Sequence, residues 1–189
     1  MDLDAEVDNC LQIIAAFHQY ANPQLQQQAN VLLMELQEQS KAWQICDQIL
    51  HRPNLSNEAY HFASNTLRNK ILSNFHEIEM EARISFRGSL LQHITKFADF
   101  NEKAVTRALA LCIADVAVHM TGSGEWTTSL VDLISELSKP ETALPLLQIL
   151  TGSSLFHFRA FSALATPTSF ITTPYGHQTR CLLRKHRCI

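Results

Sequence analysis

Histidine, cysteine and carboxylate side chains are the groups of this 189-residue chain that could do chemistry, but their spacing matches no catalytic motif. The sequence contains no HExxH zinc motif, no GxSxG nucleophile motif and no GxxxxGK[ST] phosphate loop. Glu77, Glu79 and Glu81 alternate where a helix is expected to begin, and the helix dipole favours solvated carboxylates there over an acid/base pair. We therefore expect no catalytic residue, no cofactor and no enzymatic activity.

The five cysteines and nine histidines offer no metal-ligand set at a standard spacing. Three cysteines stand among apolar helix positions, where a buried free thiol is the expected role: Cys10, Cys46 and Cys112. Cys181 and Cys188 flank His186, but this spacing fits no zinc pattern and lacks a second pair of ligands. A lone histidine on a helix is expected to be a surface residue or a satisfied core residue. The sequence predicts no metal site.

The charge of the chain changes near residue 151. Residues 1–151 hold 18 acidic and 10 basic residues, a net charge of −8, whereas residues 152–189 hold five basic residues and no acidic one. An acidic body disfavours contact with phosphates, so we expect no direct nucleic-acid partner. No apolar run approaches the ~20 residues that span a bilayer, and we expect no membrane partner. The acidic start MDLDAEVDN is unlike a signal or transit peptide, which favours an intracellular protein.

Apolar spacing and end signals predict eight helices that would position these side chains. They lie at about 4–19, 22–39, 40–51, 56–75, 78–97, 101–120, 126–138 and 140–151. Asn22, Ser56 and Asn101 are the expected N-caps, and Gly122-Ser123-Gly124 is an expected break. The helices pair with starts near 4, 40, 78 and 126. This period of roughly 36–48 residues is typical of HEAT-type solenoids, and a compact helical bundle remains the alternative.

The apolar stripes also predict which side chains are buried. Leu32 and Leu33 are expected in the core from the second helix, and Ile84 from the fifth. The sixth helix, AVTRALALCIADVAVHM, is apolar on most sides and should lie between neighbouring helices. Lys70 is expected to lay its aliphatic stem along the helix boundary and to keep its charge in water.

Five segments, in order, resemble the amino-terminal region of the importin-β superfamily of nuclear transport receptors. The first, residues 29–50, contains LLMELQEQSKAWQICDQIL. It is followed by YHFASNTLRNKILSNFHEI at 60–78 and RISFRGSLLQHITKF at 83–97. RALALCIADVAVHM at 107–120 and ALPLLQIL at 143–150 complete the series. The resemblance is nearest to the transportin-SR branch.

The resemblance implies an all-α, right-handed α-solenoid of about four HEAT-like helix pairs over residues 1–151. It implies a role in protein import, in cytoplasm and nucleus, with the amino-terminal repeats holding the small GTPase Ran in its GTP form. Nucleoporins and cargo such as SR-type splicing factors would be partners of the full-length receptor only. The expected Ran contacts lie on the second helix of the second pair: Asn65, Arg68, Asn69 and Leu72.

The resemblance ends at Thr151, and residues 152–189 form a divergent basic tail that we expect to be disordered or to come from a truncated isoform. A functional basic tail remains the other interpretation. For the whole chain, a Ran-independent helical adaptor or scaffold and a non-functional truncated isoform remain alternatives. Because a terminal repeat needs a polar cap, we expect the fourth pair to expose an apolar face and the isolated chain to be marginally stable or to self-associate.

Overall fold

A computed structural model describes residues 2–19, 22–99 and 102–151, and it contains α-helices and no β-strand in these ranges. The helices are α1 (Leu3–Phe17), α2 (Pro23–Glu38), α3 (Ala42–His51), α4 (Asn57–Asn74), α5 (Met80–Asp99), α6 (Lys103–Gly122), α7 (Ser129–Leu137) and α8 (143–151). Short 3₁₀ turns at Phe75–Glu77 and Pro140–Thr142 precede α5 and α8. The expected cap at Asn101 and the predicted tail at 152–189 lie outside the described residues.

The helix ends follow the local sequence signals. The side chain of Asn22 accepts a hydrogen bond of 3.2 Å from the backbone N–H of Leu25, and Pro23 occupies the first helical position of α2. Ser56 caps α4 by accepting from the N–H of Ala59 at 3.3 Å. Gly124 has a φ of +80°, which a residue without a Cβ adopts at no steric cost, and it reverses the chain after α6. The expected caps at Asn22 and Ser56 are therefore confirmed.

The helices pack as hairpins that stack one on the next. α1 packs on α2, α3 on α4, and α5 on α6. The first helices of successive pairs also contact each other, α1 with α3 and α3 with α5, while α4 packs along α6 in the second layer. The fourth pair joins the same core through Leu133, Leu137 and Ile149. This two-layer stack is an all-α HEAT-type solenoid, as the sequence predicted.

α6 is the central helix of the described structure. Twelve of its residues are buried, from Val105 to Met120, because α4 and α5 pack on two of its sides. By length and by a mean hydropathy of 1.4 it would pass as a membrane span, although Arg107 and Asp115 interrupt its apolar run. However, 61% of that window is buried inside the protein, as in the core helix of a soluble fold.

The three helical cysteines are buried free thiols, as predicted. Burial raises the pKa of the Cys10 thiol to about 12, and burial raises the pKa values of Cys46 and Cys112 as well. These thiols are therefore uncharged and unreactive at neutral pH. Cys181 and Cys188 lie outside the described residues.

Two apolar side chains and one lysine depart from the predicted burial. Leu32 is 48% exposed and Ile84 is 60% exposed, because the buried stripe of each helix is narrower than its apolar pattern. Lys70 was expected to keep its charge in water, which is wrong, because the residue is only 3% exposed. Its ammonium group lies 3.0 Å from Oε2 of Glu77 and donates to the carbonyl oxygen of Gln39 at 3.2 Å. Glu77 is thus a partner of Lys70 and not part of a solvated first turn.

Candidate partner-binding surface

The four residues predicted to contact a partner form a single stripe on α4. Their spacing of three or four residues brings Asn65, Arg68, Asn69 and Leu72 to one side of the helix. Asn69 and Leu72 are exposed, whereas Asn65 and Arg68 are half-buried. We call these four residues the α4 row. Two of its members therefore present their side chains to solvent, and two also make contacts within the protein.

Asn65 is held by the preceding turn of its own helix. Its Nδ2 donates to the carbonyl oxygen of His61 at 2.9 Å and lies 2.9 Å from Nδ1 of the same residue. A side-chain amide in such a local bond has lost most of its rotamer freedom already. A partner that contacts Asn65 would therefore meet an ordered side chain.

Arg68 lies above a buried carboxylate on the neighbouring helix. Its Nε is 3.7 Å from Oδ2 of Asp115 on α6, and the Asp115 side chain is 5% exposed. Burial raises the pKa of the Asp115 carboxyl, and the charge of Arg68 acts in the opposite direction. The Arg68 side chain is still 36% exposed. Arg68 thus both compensates a buried charge and reaches the surface.

A groove of about 620 Å³ begins at Asn65 and runs between the second helices of the first two pairs. Leu33, Met34 and Phe62 supply apolar walls from α2 and α4. Glu58 and Glu102 add carboxylates to its lining. An open apolar groove with a polar and acidic rim is a common shape of protein-binding surfaces.

Two sets of contacts fix α4 relative to the rest of the fold. Gln37 on α2 donates from Nε2 to Oγ1 of Thr66 at 2.9 Å, which sets the spacing of α2 and α4. At the end of α4, Oε2 of Glu77 accepts from the indole N–H of Trp43 at 2.9 Å as well as pairing with Lys70. The ammonium group of Lys70 also lies 5.6 Å from the centre of the Trp43 ring. The α4 row is therefore presented on a rigid helix.

Two residues of this surface and one buried residue beneath it were missed by the sequence analysis. Met34 is 58% exposed and His61 borders the groove, but each has only an ordinary helical spacing in the sequence. Asp115 could have been identified from the sequence. It is a single carboxylate within the apolar run ALCIADVAV, and a buried carboxylate needs a charged or hydrogen-bonding partner. That pattern does not identify Arg68, which lies 47 positions earlier in the chain.

Comparison with known proteins supports the resemblance seen in the sequence. The model of the importin-beta N-terminal domain family matches residues 29–96. The match extends from α2 to α5 and so includes the whole α4 row.

Three similar proteins come from fungi and a plant. An uncharacterized protein of Schizosaccharomyces pombe is 40% identical over 124 residues, which is 65% of this chain and 13% of that protein. The mRNA transport regulator MTR10 of Saccharomyces cerevisiae is 29% identical over 155 residues, 80% of this chain and 15% of that protein. Transportin MOS14 of Arabidopsis thaliana is 29% identical over 111 residues, 59% of this chain and 11% of that protein.

The aligned part of this chain therefore spans only 11–15% of the length of these relatives. The family match, the relatives and the stacked helix pairs agree with one another. This chain therefore carries an importin-beta N-terminal domain at residues 29–96, and its helical part is similar to the mRNA transport regulator MTR10 and to Transportin MOS14.

Proposed function

We propose that this chain binds the small GTPase Ran in its GTP form, through the α4 row on the second helix of the second pair. The observation that carries the proposal is the exposure of Asn69 and Leu72 on a rigid helix inside the region matched by the importin-beta N-terminal domain. Leu72 is 46% exposed and adds apolar area to the polar α4 row.

The mechanism of such a receptor region is a shift between conformations. In a full-length receptor of this superfamily, Ran-GTP and cargo would each favour a different curvature of the solenoid, so the binding of one would weaken the binding of the other. Residues 1–151 would supply the Ran end of this coupling. Nucleoporins and SR-type cargo belong to the proposal only for a receptor with further repeats.

The α4 row is tested with pairs of matched substitutions. Asn69→Ala and Leu72→Ala are each expected to weaken the binding of Ran loaded with a non-hydrolysable GTP analogue by about fivefold or more. The controls are Gln92→Ala and Ile84→Ala on α5, two substitutions of exposed side chains of the same chemical type in the other layer. Binding is measured by titration calorimetry, with circular dichroism to verify the fold.

The two sets of variants separate the alternatives. Equal binding by the α4 row variants and the controls would overturn the assignment of the surface. A Ran-independent adaptor would instead bind an apolar helix in the groove beside Asn65. In that case Met34→Ala would weaken binding of the partner helix irrespective of the nucleotide bound to Ran.

A further inference from the structure

A cluster of three potential metal ligands lies in the other layer of the solenoid, away from the α4 row. Asp47 and His51 stand one turn apart on α3, and His93 faces them from α5. One ligand atom from each of the three residues lies within 4.8 Å of the others. The cluster is the one group of this kind found among the described residues.

The donor atoms are of the type and charge that zinc prefers. Zinc binds neutral imidazole nitrogen and ionised carboxylate oxygen. At their ordinary pKa values, a carboxyl group is ionised and an imidazole is mostly neutral at pH 7. The His93 ring is only 1% exposed, and its Nε2 lies within hydrogen-bond distance of the Asp47 carboxylate.

The spacing of the donors is close to the edge of a zinc tetrahedron. Zinc–nitrogen and zinc–oxygen bonds of about 2.0–2.1 Å place neighbouring ligand atoms about 3.3 Å apart. Nε2 of His93 lies 2.9 Å from Oδ1 of Asp47, and Nδ1 of His51 lies 3.4 Å from Oδ2 of the same carboxylate. The rings of His51 and His93 are 4.3 Å apart between centres. The His51 side chain is 43% exposed, and its ring must move to bring all three donor atoms, now within 4.8 Å of one another, to this spacing.

The surroundings of the cluster both orient it and limit its affinity. Ser89 donates from Oγ to Oδ1 of Asp47, which holds the carboxylate in place. The ammonium group of Lys96 donates to the carbonyl oxygens of Leu50 and His51 at 2.8 and 3.1 Å, close to the cluster. Its positive charge opposes a dication and partly offsets the charge of Asp47. His93 must give up the 2.9 Å hydrogen bond between its Nε2 and Asp47, with its ring proton on Nδ1 instead, and His51 must give up its 2.9 Å contact with the backbone oxygen of Asp47.

We propose that Asp47, His51 and His93 bind one zinc ion, with water as the fourth ligand. The ion would join α3 to α5 and so tie the second helix pair to the third. This is a structural role for the layer opposite the α4 row and is independent of the proposed Ran binding.

The test is zinc binding to the purified 189-residue chain after treatment with a chelator. We expect one Zn²⁺ per chain in titration calorimetry, together with an increase in the melting temperature. Asp47→Asn and His51→Gln should each weaken Zn²⁺ binding by about tenfold or more and abolish the increase in melting temperature. His51 is the preferred position because its exposure makes a folding defect from the substitution small.

Two controls identify the ligands. His76→Gln, which changes an exposed histidine outside the cluster, should bind Zn²⁺ like the unsubstituted chain. The double variant Cys181→Ser/Cys188→Ser should also retain the ion, and the Co²⁺ form should lack the charge-transfer absorption of a cobalt–thiolate bond. The proposal is overturned by a lack of Zn²⁺ binding, by unchanged binding in His51→Gln, or by loss of the ion in the double cysteine variant.

Discussion

Nε of Arg68 on α4 lies 3.7 Å from Oδ2 of Asp115 on α6, too far for a hydrogen bond but close enough for charge compensation. Neither atom has a hydrogen-bond partner among the described residues. Because Asp115 is buried, its charge depends on Arg68, while part of the Arg68 side chain remains at the surface. One arginine therefore connects the interior of the solenoid with the surface proposed to bind Ran.

The two members of this pair should differ in their effect on stability. Arg68→Ala leaves a buried carboxylate without compensation and is expected to lower the free energy of unfolding by about 1–3 kcal/mol. Asp115→Asn removes a charge whose burial raises its pKa, and Arg68 can turn to water, so the stability should stay equal or rise. Urea denaturation at pH 7 measures both. A loss in Asp115→Asn as large as that in Arg68→Ala would contradict this interpretation.

The pair of Lys70 and Glu77 should contribute more to stability than an exposed ion pair. Glu77→Gln leaves the buried ammonium group of Lys70 with neutral oxygen acceptors and no ionised partner, and we expect a loss of about 2–4 kcal/mol in the free energy of unfolding. The control is Glu79→Gln, an exposed position two residues later, which should change the stability by less than about 0.5 kcal/mol. Similar urea midpoints for the two variants would show that the pair contributes nothing measurable.

The stability of the metal-free chain should fall as the pH decreases from 7 to 5, in part because of His93. Burial lowers the pKa of His93 in the folded state. Below about pH 6.5, His93 therefore binds a proton more readily in the unfolded chain than in the folded one, and this difference favours unfolding. The lowered pKa of Asp47 acts in a more acidic window, below about pH 4.

His93→Gln should therefore reduce the dependence of the unfolding free energy on pH, by up to about 1.4 kcal/mol per pH unit. Urea titrations in the presence of a chelator measure this slope, and His76→Gln is the exposed control. An unchanged slope in His93→Gln would mean that His93 is protonated equally in both states.

The fourth helix pair should make the chain self-associate at tens of micromolar. Five apolar residues of α7 and α8 are at least 45% exposed in the described structure: Leu130, Val131, Ile134, Leu144 and Leu147. We expect sedimentation velocity to show dimers or larger species. Val131→Lys/Leu147→Lys should shift them to monomer, whereas Met80→Lys/Ile84→Lys on α5 should not. A sharp monomer for the unsubstituted chain would contradict the prediction.

Most of the fold follows from local features of the sequence. Helix boundaries depend on signals that act within a few residues: the apolar period, the caps at Asn22 and Ser56, and the turn near Gly124. These signals predicted the ends of the helices to within about three residues. The order of short helices also predicts hairpins that stack. The burial of Leu32 and Ile84 was predicted wrongly, because the period shows the direction of an apolar stripe but not how wide the contact with a neighbour is.

The polar contacts required the structure. Trp43 and Glu77 are 34 positions apart, and Asp47 and His93 are 46 positions apart. No periodicity within one helix identifies such partners, because they meet only when α3 packs on α4 and α5. The same reason explains why Lys70 was expected in water and why no metal-ligand cluster was expected.

The central proposal is best tested by comparing the nucleotide states of Ran. The purified chain is titrated against Ran loaded with a non-hydrolysable GTP analogue and, separately, against Ran-GDP. We predict an affinity at least about tenfold higher for the GTP form, which corresponds to about 1.4 kcal/mol of preference. Equal affinity for the two forms, or no binding to either, would contradict the proposal that this chain retains the regulatory end of a nuclear transport receptor.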